Sequence, residues 1–236
     1  MRDKIKQKTY FKAYLENEDR KIEKYKMMAN KVREERGEDD EGLRRAYIII
    51  QTSYFNKLNC LYSMGAEIEE IKKLYPSLVE IMTKVWNKES GYVRLLWMIS
   101  IGIMLDIEIK YVKELENLVK GDALEDYLVD YLLSCWDKEW SSSSETFVFP
   151  EPYGELYRVI NEPDKDSALD KLSQYLNDLW YAGHDDISWY DSHKGKNDTY
   201  NGYWCYESGA LVKILKLDDS SLQNSPYYPY DMVNYK

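Results

Sequence analysis

Along almost the whole of this chain, apolar side chains recur every three or four residues, and period-two alternation is scarce. That is the pattern of packed amphipathic helices. A first helix is predicted from Arg2 to Arg36, with Phe11, Leu15, Ile22, Tyr25, Ala29 and Val32 along one stripe. Gly37 supplies a stop, and Asp39 or Asp40 a cap for the next helix. That second helix carries Leu43, Tyr47, Ile50, Tyr54, Leu58 and Leu61 and is expected to end at Gly65. A third segment carries Ile68, Ile71, Leu78, Met82 and Val85, and Pro76 within it should kink the helix or start a new one. The run from Val93 to Leu105 is apolar on all sides, which marks a central, buried helix. Further helices are expected at Glu108–Val119, through Leu124, Leu128, Tyr131 and Cys135, at Tyr153–Ile160, at Asp166–Tyr181 and at Tyr200–Lys216, where a turn-rich tail begins.

The fold class that follows is all-α, a bundle of about nine helices. Ser141 to Ser144 with Pro150 and Pro152 read as a linker. The expected organisation is an N-terminal helical part over 1–137, a linker over 138–152 and a C-terminal helical part over 153–236. The longest nearly unbroken apolar stretch, Leu95 to Leu105, has eleven residues. A spanning helix needs about 20, so no membrane partner is expected. The lysine-rich start, Met1 to Lys12, lacks the apolar core of a secretory signal, and a cytosolic, cytoplasmic protein is the expectation.

Charge changes this picture, because it is uneven. Residues 1–36 hold 12 Lys+Arg against 7 Asp+Glu, whereas residues 121–236 hold 9 against 22. The acidic half should repel nucleic acid and attract a basic surface. Cys60, Cys135 and Cys205 are odd in number and far apart, with no CxxC pair, so neither a disulfide framework nor a zinc knuckle is indicated.

Candidate chemistry concentrates between Trp180 and the C-terminus, where both histidines lie among many carboxylates and aromatics. One reading makes the His184-Asp185-Asp186 region, with His193 and Glu207, the site of a metal-dependent hydrolase. An HD pair alone is a weak motif, and the chain carries no HExxH, G-x-S-x-G or Gly-rich phosphate loop. The stronger reading is structural. Glu207 falls on the apolar side of the last predicted helix, so its carboxyl must find hydrogen-bond donors. His193, Lys194, Lys196 and the Trp189 indole are the nearby candidates, and Glu207, His193 and Trp189 are expected to tie the polar loop to that helix. No catalytic residue, no cofactor and no metal are assigned.

The stretch Trp189 to Tyr235, WYDSHKGKNDTYNGYWCYESGALVKILKLDDSSLQNSPYYPYDMVNY, resembles the C-terminal domain of the PoNi immunity proteins. The residues that carry the likeness are the Trp and His ahead of the helix, the Tyr-x-Gly-Tyr-Trp-x-x-Glu at its start, the Leu-Asp-Asp-Ser after it and the closing Tyr-Tyr-Pro-Tyr-Asp. The segment LYSMGAEIEEIKKLYP is similar, more loosely, to the family's first domain. The resemblance implies an all-helical antitoxin of bacterial competition, which protects by binding a PoNe-type nuclease toxin directly and blocking it. It carries over no catalytic residues, and the basic first helix lies outside the quoted pattern. An acidic, aromatic-rich chain suits the phosphate-holding surface of a DNase as a competitor. A third reading is an acidic helical adaptor with another protein partner.

The partner-binding surface is expected on the acidic half, at Asp185, Asp186, Asp191, Asp198, Asp218 and Asp219. These fall in polar segments between helices, where side chains are ordinarily exposed. Direct nucleic-acid binding is not expected.

Overall fold

Gly37 and Asp40 turn the first long helix back along the second, as their sequence positions foretell. In the computed structural model, which describes residues 1–236, α1 spans Lys8–Arg36 and α2 spans Glu41–Met64. Asp40 caps α2 by accepting from the Gly42 N–H at 2.7 Å. Gly65 closes it with a left-handed φ of 84°, a conformation that costs glycine nothing. Pro76 begins a new helix, so the third predicted segment is two helices, α3 (Ile68–Lys72) and α4 (Tyr75–Val85). Then follow α5 (Lys88–Leu105), α6 (Ile109–Gly121), α7 (Tyr127–Trp136), α8 (Pro150–Tyr153), α9 (Leu156–Ile160) and α10 (Lys165–Gln174). The last two are α11 (Tyr206–Leu215) and α12 (Tyr230–Val233). There are no strands, and the all-α expectation holds. No helix is long and apolar enough to cross a membrane.

Residue contacts divide the chain into two compact units: Met1–Ser90 with His193–Tyr203, and Gly91–Ser192 with Trp204–Lys236. In the first unit α1 packs along α2. Phe11, Tyr14, Ile22 and Ala29 are buried on one face, and Glu18 is buried with them. Burial of that carboxylate is offset by Lys21 Nζ at 2.6 Å and Asn56 Nδ2 at 3.4 Å. The predicted first helix begins six residues late. Met1–Gln7 instead closes the C-terminal end of α2, where Arg2 donates to the carbonyls of Tyr62 (3.1 Å) and Ala66 (2.8 Å). A cation at those carbonyls meets the negative end of the helix.

In the second unit α5 is buried almost all round, as its composition requires. Trp97 meets Tyr206 edge to face at 5.6 Å, which sets α11 against α5. Gly209 of α11 lies where an added Cβ would come within 2.8 Å of Pro229 and 2.9 Å of Val233, with the Met104 sulfur closer still.

Two sequence expectations are corrected here. Tyr200–Cys205 is not helical; α11 starts at Tyr206. Gly202 has φ 118°, and the backbone there is occupied elsewhere: Asn201 C=O accepts from the Ser63 hydroxyl at 2.9 Å, and Tyr200 C=O accepts from Tyr10 O–H at 2.8 Å. The segment 138–152 is not free: it is hydrogen-bonded to α7. Asp130, buried in α7, accepts from the Trp140 indole (3.1 Å) and the Ser144 hydroxyl (2.7 Å). Asp126, fully buried at the N-cap of α7, accepts from the N–H groups of Val129 (2.9 Å) and Val148 (2.8 Å) and from Tyr92 O–H (3.1 Å). Two carboxylates thus hold the serine-rich stretch against the helix it was expected to leave.

The close approach at Gly209 generates a prediction. Gly209→Ala should lower stability by about 1–3 kcal/mol, because the methyl displaces backbone-anchored Pro229 and Val233. Chemical denaturation measures it; an unchanged midpoint would mean that α11 and α12 have room between them.

Candidate binding surface and its buried polar frame

Glu207 stands in the first turn of α11 and is completely buried. Its Oε1 accepts three hydrogen bonds, from the Trp180 indole at 2.8 Å, Tyr175 O–H at 3.2 Å and the Cys205 thiol at 3.1 Å. Its Oε2 is buried with no partner. Burial pushes the carboxyl pKa up against these bonds, because desolvation penalises the anion. Glu207 is buried, and its partners differ from those expected. They come from the segment that continues α10 through a π-helical turn, Tyr175–Leu179, and not from Trp189, His193 or the lysines of the loop. Nothing in the local spacing links Trp180 to Glu207, 27 residues on. Buried Trp180 and Tyr175 were legible only as apolar bulk.

Trp189 is half-buried and stacks on Trp180 with centroids 5.6 Å apart. His193 belongs to the other unit, where its Nδ1 lies 2.8 Å from the Tyr203 hydroxyl and its backbone N–H donates to the same oxygen.

His184 is buried and both its ring nitrogens are committed. Nδ1–H donates to the Trp180 carbonyl, and Nε2 accepts from Tyr153 O–H at 2.8 Å. Burial lowers its pKa, so the neutral imidazole is the folded form. A ring held this way has no lone pair for a metal. No cluster of three His, Cys, Asp or Glu side chains converges anywhere in the structure.

The six candidate aspartates separate into two kinds. Asp185 and Asp186 are exposed, as is Asp198 in the other unit. Asp218 is exposed and caps a short turn by accepting from Ser220 N–H at 3.1 Å. Asp219 is buried, which corrects the expectation of exposure; it accepts from Tyr228 O–H (2.8 Å) and Asn234 Nδ2 (3.0 Å) and pins the tail. Asp191 is half-buried at φ 54° and is tied to Tyr181, whose hydroxyl donates to it at 2.9 Å. Both carboxylates are engaged in hydrogen bonds within the fold.

Comparison with known families agrees with this helical frame. The family described as PoNe immunity protein (PoNi), N-terminal, matches residues 2–117, and that described as PoNe immunity proteins (PoNi), C-terminal, matches residues 124–232. No curated protein matches the chain. Among solved structures, the crystal structure of protein PA2201 from Pseudomonas aeruginosa is similar, with a TM-score of 0.68 and 20% identity, over 95% of this chain and 87% of that one.

Two outcomes test the frame. Glu207→Ala leaves three buried donors without an acceptor, at about 1–3 kcal/mol for an orphaned group, and should destabilise by about 2–4 kcal/mol. Glu207→Gln, which keeps the accepting oxygen, should cost less, and equal losses for the two would contradict the assigned bonds. For His184, the folded pKa lies below the unfolded one, so the unfolded chain binds the extra proton. Stability from this residue is complete above the ordinary histidine pKa of about 6.5 and declines as pH falls through it, by at most about 1.4 kcal/mol per pH unit. Glu207 and Asp126, whose pKa values burial raises, act in the opposite sense. His184→Gln should therefore flatten the acid side of the stability profile between pH 7 and 5, and a slope equal to the parent's would mean that His184 is protonated in the fold.

Proposed function

We propose that this chain, which belongs to the PoNi family of PoNe immunity proteins, neutralises a cognate PoNe nuclease toxin by direct contact, using an acidic surface of its C-terminal half against a basic face of the toxin. The observation that carries the reading is the sign of the charge. Residues 121–236 hold 9 Lys+Arg against 22 Asp+Glu, and a DNase must present cations to phosphate. Exposed Asp185, Asp186 and Asp218 belong to this surface. Asp198 is exposed in the other unit and is not assigned to this surface. Asp191 and Asp219 are left out of the contact, because their carboxylates already serve Tyr181, Tyr228 and Asn234.

In this reading the protein does no chemistry. It occupies the surface that would hold DNA, and its long-range field raises the rate of encounter. The hydrolase reading loses its chief support, since His184 spends both ring nitrogens on the protein.

The direct experiment titrates the whole chain against a PoNe-type nuclease domain and follows both binding and DNA cleavage. A stoichiometric complex with loss of cleavage is expected; saturating amounts that leave cleavage untouched overturn the reading. The steering role is read separately. The triple variant Asp185→Asn, Asp186→Asn, Asp218→Asn keeps a capping side chain at 218, so its melting temperature should stay near the parent's. Its association rate at low salt should fall several-fold and respond less to added salt. An unaltered association rate would move the contact to another part of the surface.

A further inference from the structure

Of the four large apolar side chains that the second unit exposes, Ile109 lies apart in the chain and the other three fall between 148 and 157. Val148, Phe149 and Tyr157 are 41%, 40% and 49% exposed. Half-buried Tyr127, Tyr131 and Phe147 adjoin them. Tyr127 lies 5.1 Å from Phe147, 5.2 Å from Tyr157 and 6.4 Å, stacked, from Tyr131, all between ring centroids. Exposing this much aromatic surface is unfavourable for an isolated protein, and contiguous patches of this kind mark interaction sites.

The patch is also held rigid. Tyr127 N–H donates to the Thr146 carbonyl at 2.8 Å, and Val148 N–H donates to buried Asp126 at 2.8 Å. Phe149 rests on Tyr92 at 5.0 Å, and the Tyr92 hydroxyl donates to the same Asp126. Ser144 is tied to buried Asp130. A segment whose composition reads as loop is therefore fixed in one conformation with its aromatic side chains outward. Such preorganisation reduces the entropy lost on binding.

We infer that this aromatic platform is the affinity-bearing contact of the chain, and that its occupant is a basic protein face, the phosphate-holding face of the PoNe nuclease domain. This rests on the proposed function and deepens it. The occupant follows from charge. Exposed Glu145, Glu151 and Glu155 each stand two residues along the chain from Phe147, Phe149 and Tyr157, and Arg158, next to Tyr157, is paired with Glu155 at 3.3 Å. Residues 121–165 hold 3 Lys+Arg against 11 Asp+Glu. A second copy of this chain would bring the same acidic rim against itself, and an anionic membrane would repel it. Arginine and lysine of a nuclease face suit both parts, with their cations at the carboxylates and their alkyl stems and guanidinium planes on the tyrosine rings. Tyrosines of this kind are typical binding hot spots, and their loss is read in the dissociation rate.

The test uses the full chain and a PoNe-type nuclease domain that the parent binds. Tyr157→Ser, Phe149→Ser and the double variant alter exposed side chains, and thermal melting checks that each is folded. The double variant should bind at least a hundred-fold more weakly, mostly through faster dissociation, with the salt dependence of association retained. Binding within three-fold of the parent by a folded double variant overturns the platform, while the proposed function survives on the parent's own binding. Failure of the parent to bind removes the proposed function itself, and the platform with it. Sedimentation of the parent alone gives the remaining outcome: a monomer supports the assignment, and a dimer that Tyr157→Ser dissociates overturns it by making the patch a self-interface.

Discussion

A single carboxyl oxygen organises the C-terminal part of this chain. Glu207 Oε1 collects an indole, a phenol and a thiol, while its second oxygen is buried without a partner. The isolated carboxyl would be too expensive to bury, and the three donors would be costly to bury without it. Together they specify one arrangement. The π-turn after α10 must bring Trp180 and Tyr175 to the start of α11, and α11 cannot slide without stranding them. His184 hangs from the Trp180 carbonyl, Tyr153 from His184, and Trp189 from the Trp180 face. An apolar replacement of the whole set would pack as tightly, but it would lose the directionality that fixes the register.

The acidic composition therefore covers two physically different populations. Glu18, Asp126, Asp130, Asp219 and Glu207 are buried and hydrogen-bonded; Glu18 holds a lysine and an amide, and the other four act as acceptors that position backbone and aromatic groups. Asp185, Asp186, Asp198, Glu145, Glu151 and Glu155 are exposed, and they contribute a field. A net charge counts both alike. Only the second kind is available to a partner, and only the second kind is weakened by salt at ordinary ionic strength.

What sequence could and could not reveal follows from the range of the forces involved. The start and stop of α2 were legible because Asp40 and Gly65 act on their own neighbours. Burial of α5 was legible because a helix apolar on every side has no alternative. The burial of Glu207 was legible from helical spacing, yet its partners were not, since they arrive from a distant segment. Tyr200–Cys205 has helical spacing but is drawn out by hydrogen bonds to side chains near the chain start and in α2. Ser141–Ser144 has the composition of a linker, and only Asp130 and Asp126 across space make it part of a packed unit. The exposed aspartates could be picked from loops, but the aspartates that loops bury could not be told from them.

This separation has a consequence for how such a chain can change partners. Substituting an exposed carboxylate removes field strength at little cost to the fold, since exposed ion pairs and surface charges contribute about 0–1 kcal/mol. Substituting a buried one leaves donors unsatisfied at several times that cost. The frame built on Glu207, Asp126 and Asp130 can therefore stay constant while the carboxylates and aromatic tips above it vary. Asp126 links the two levels directly. The same side chain that caps α7 also fixes the backbone between Phe147 and Phe149, so the geometry of the displayed surface is inherited from the core and only its chemistry is free to vary.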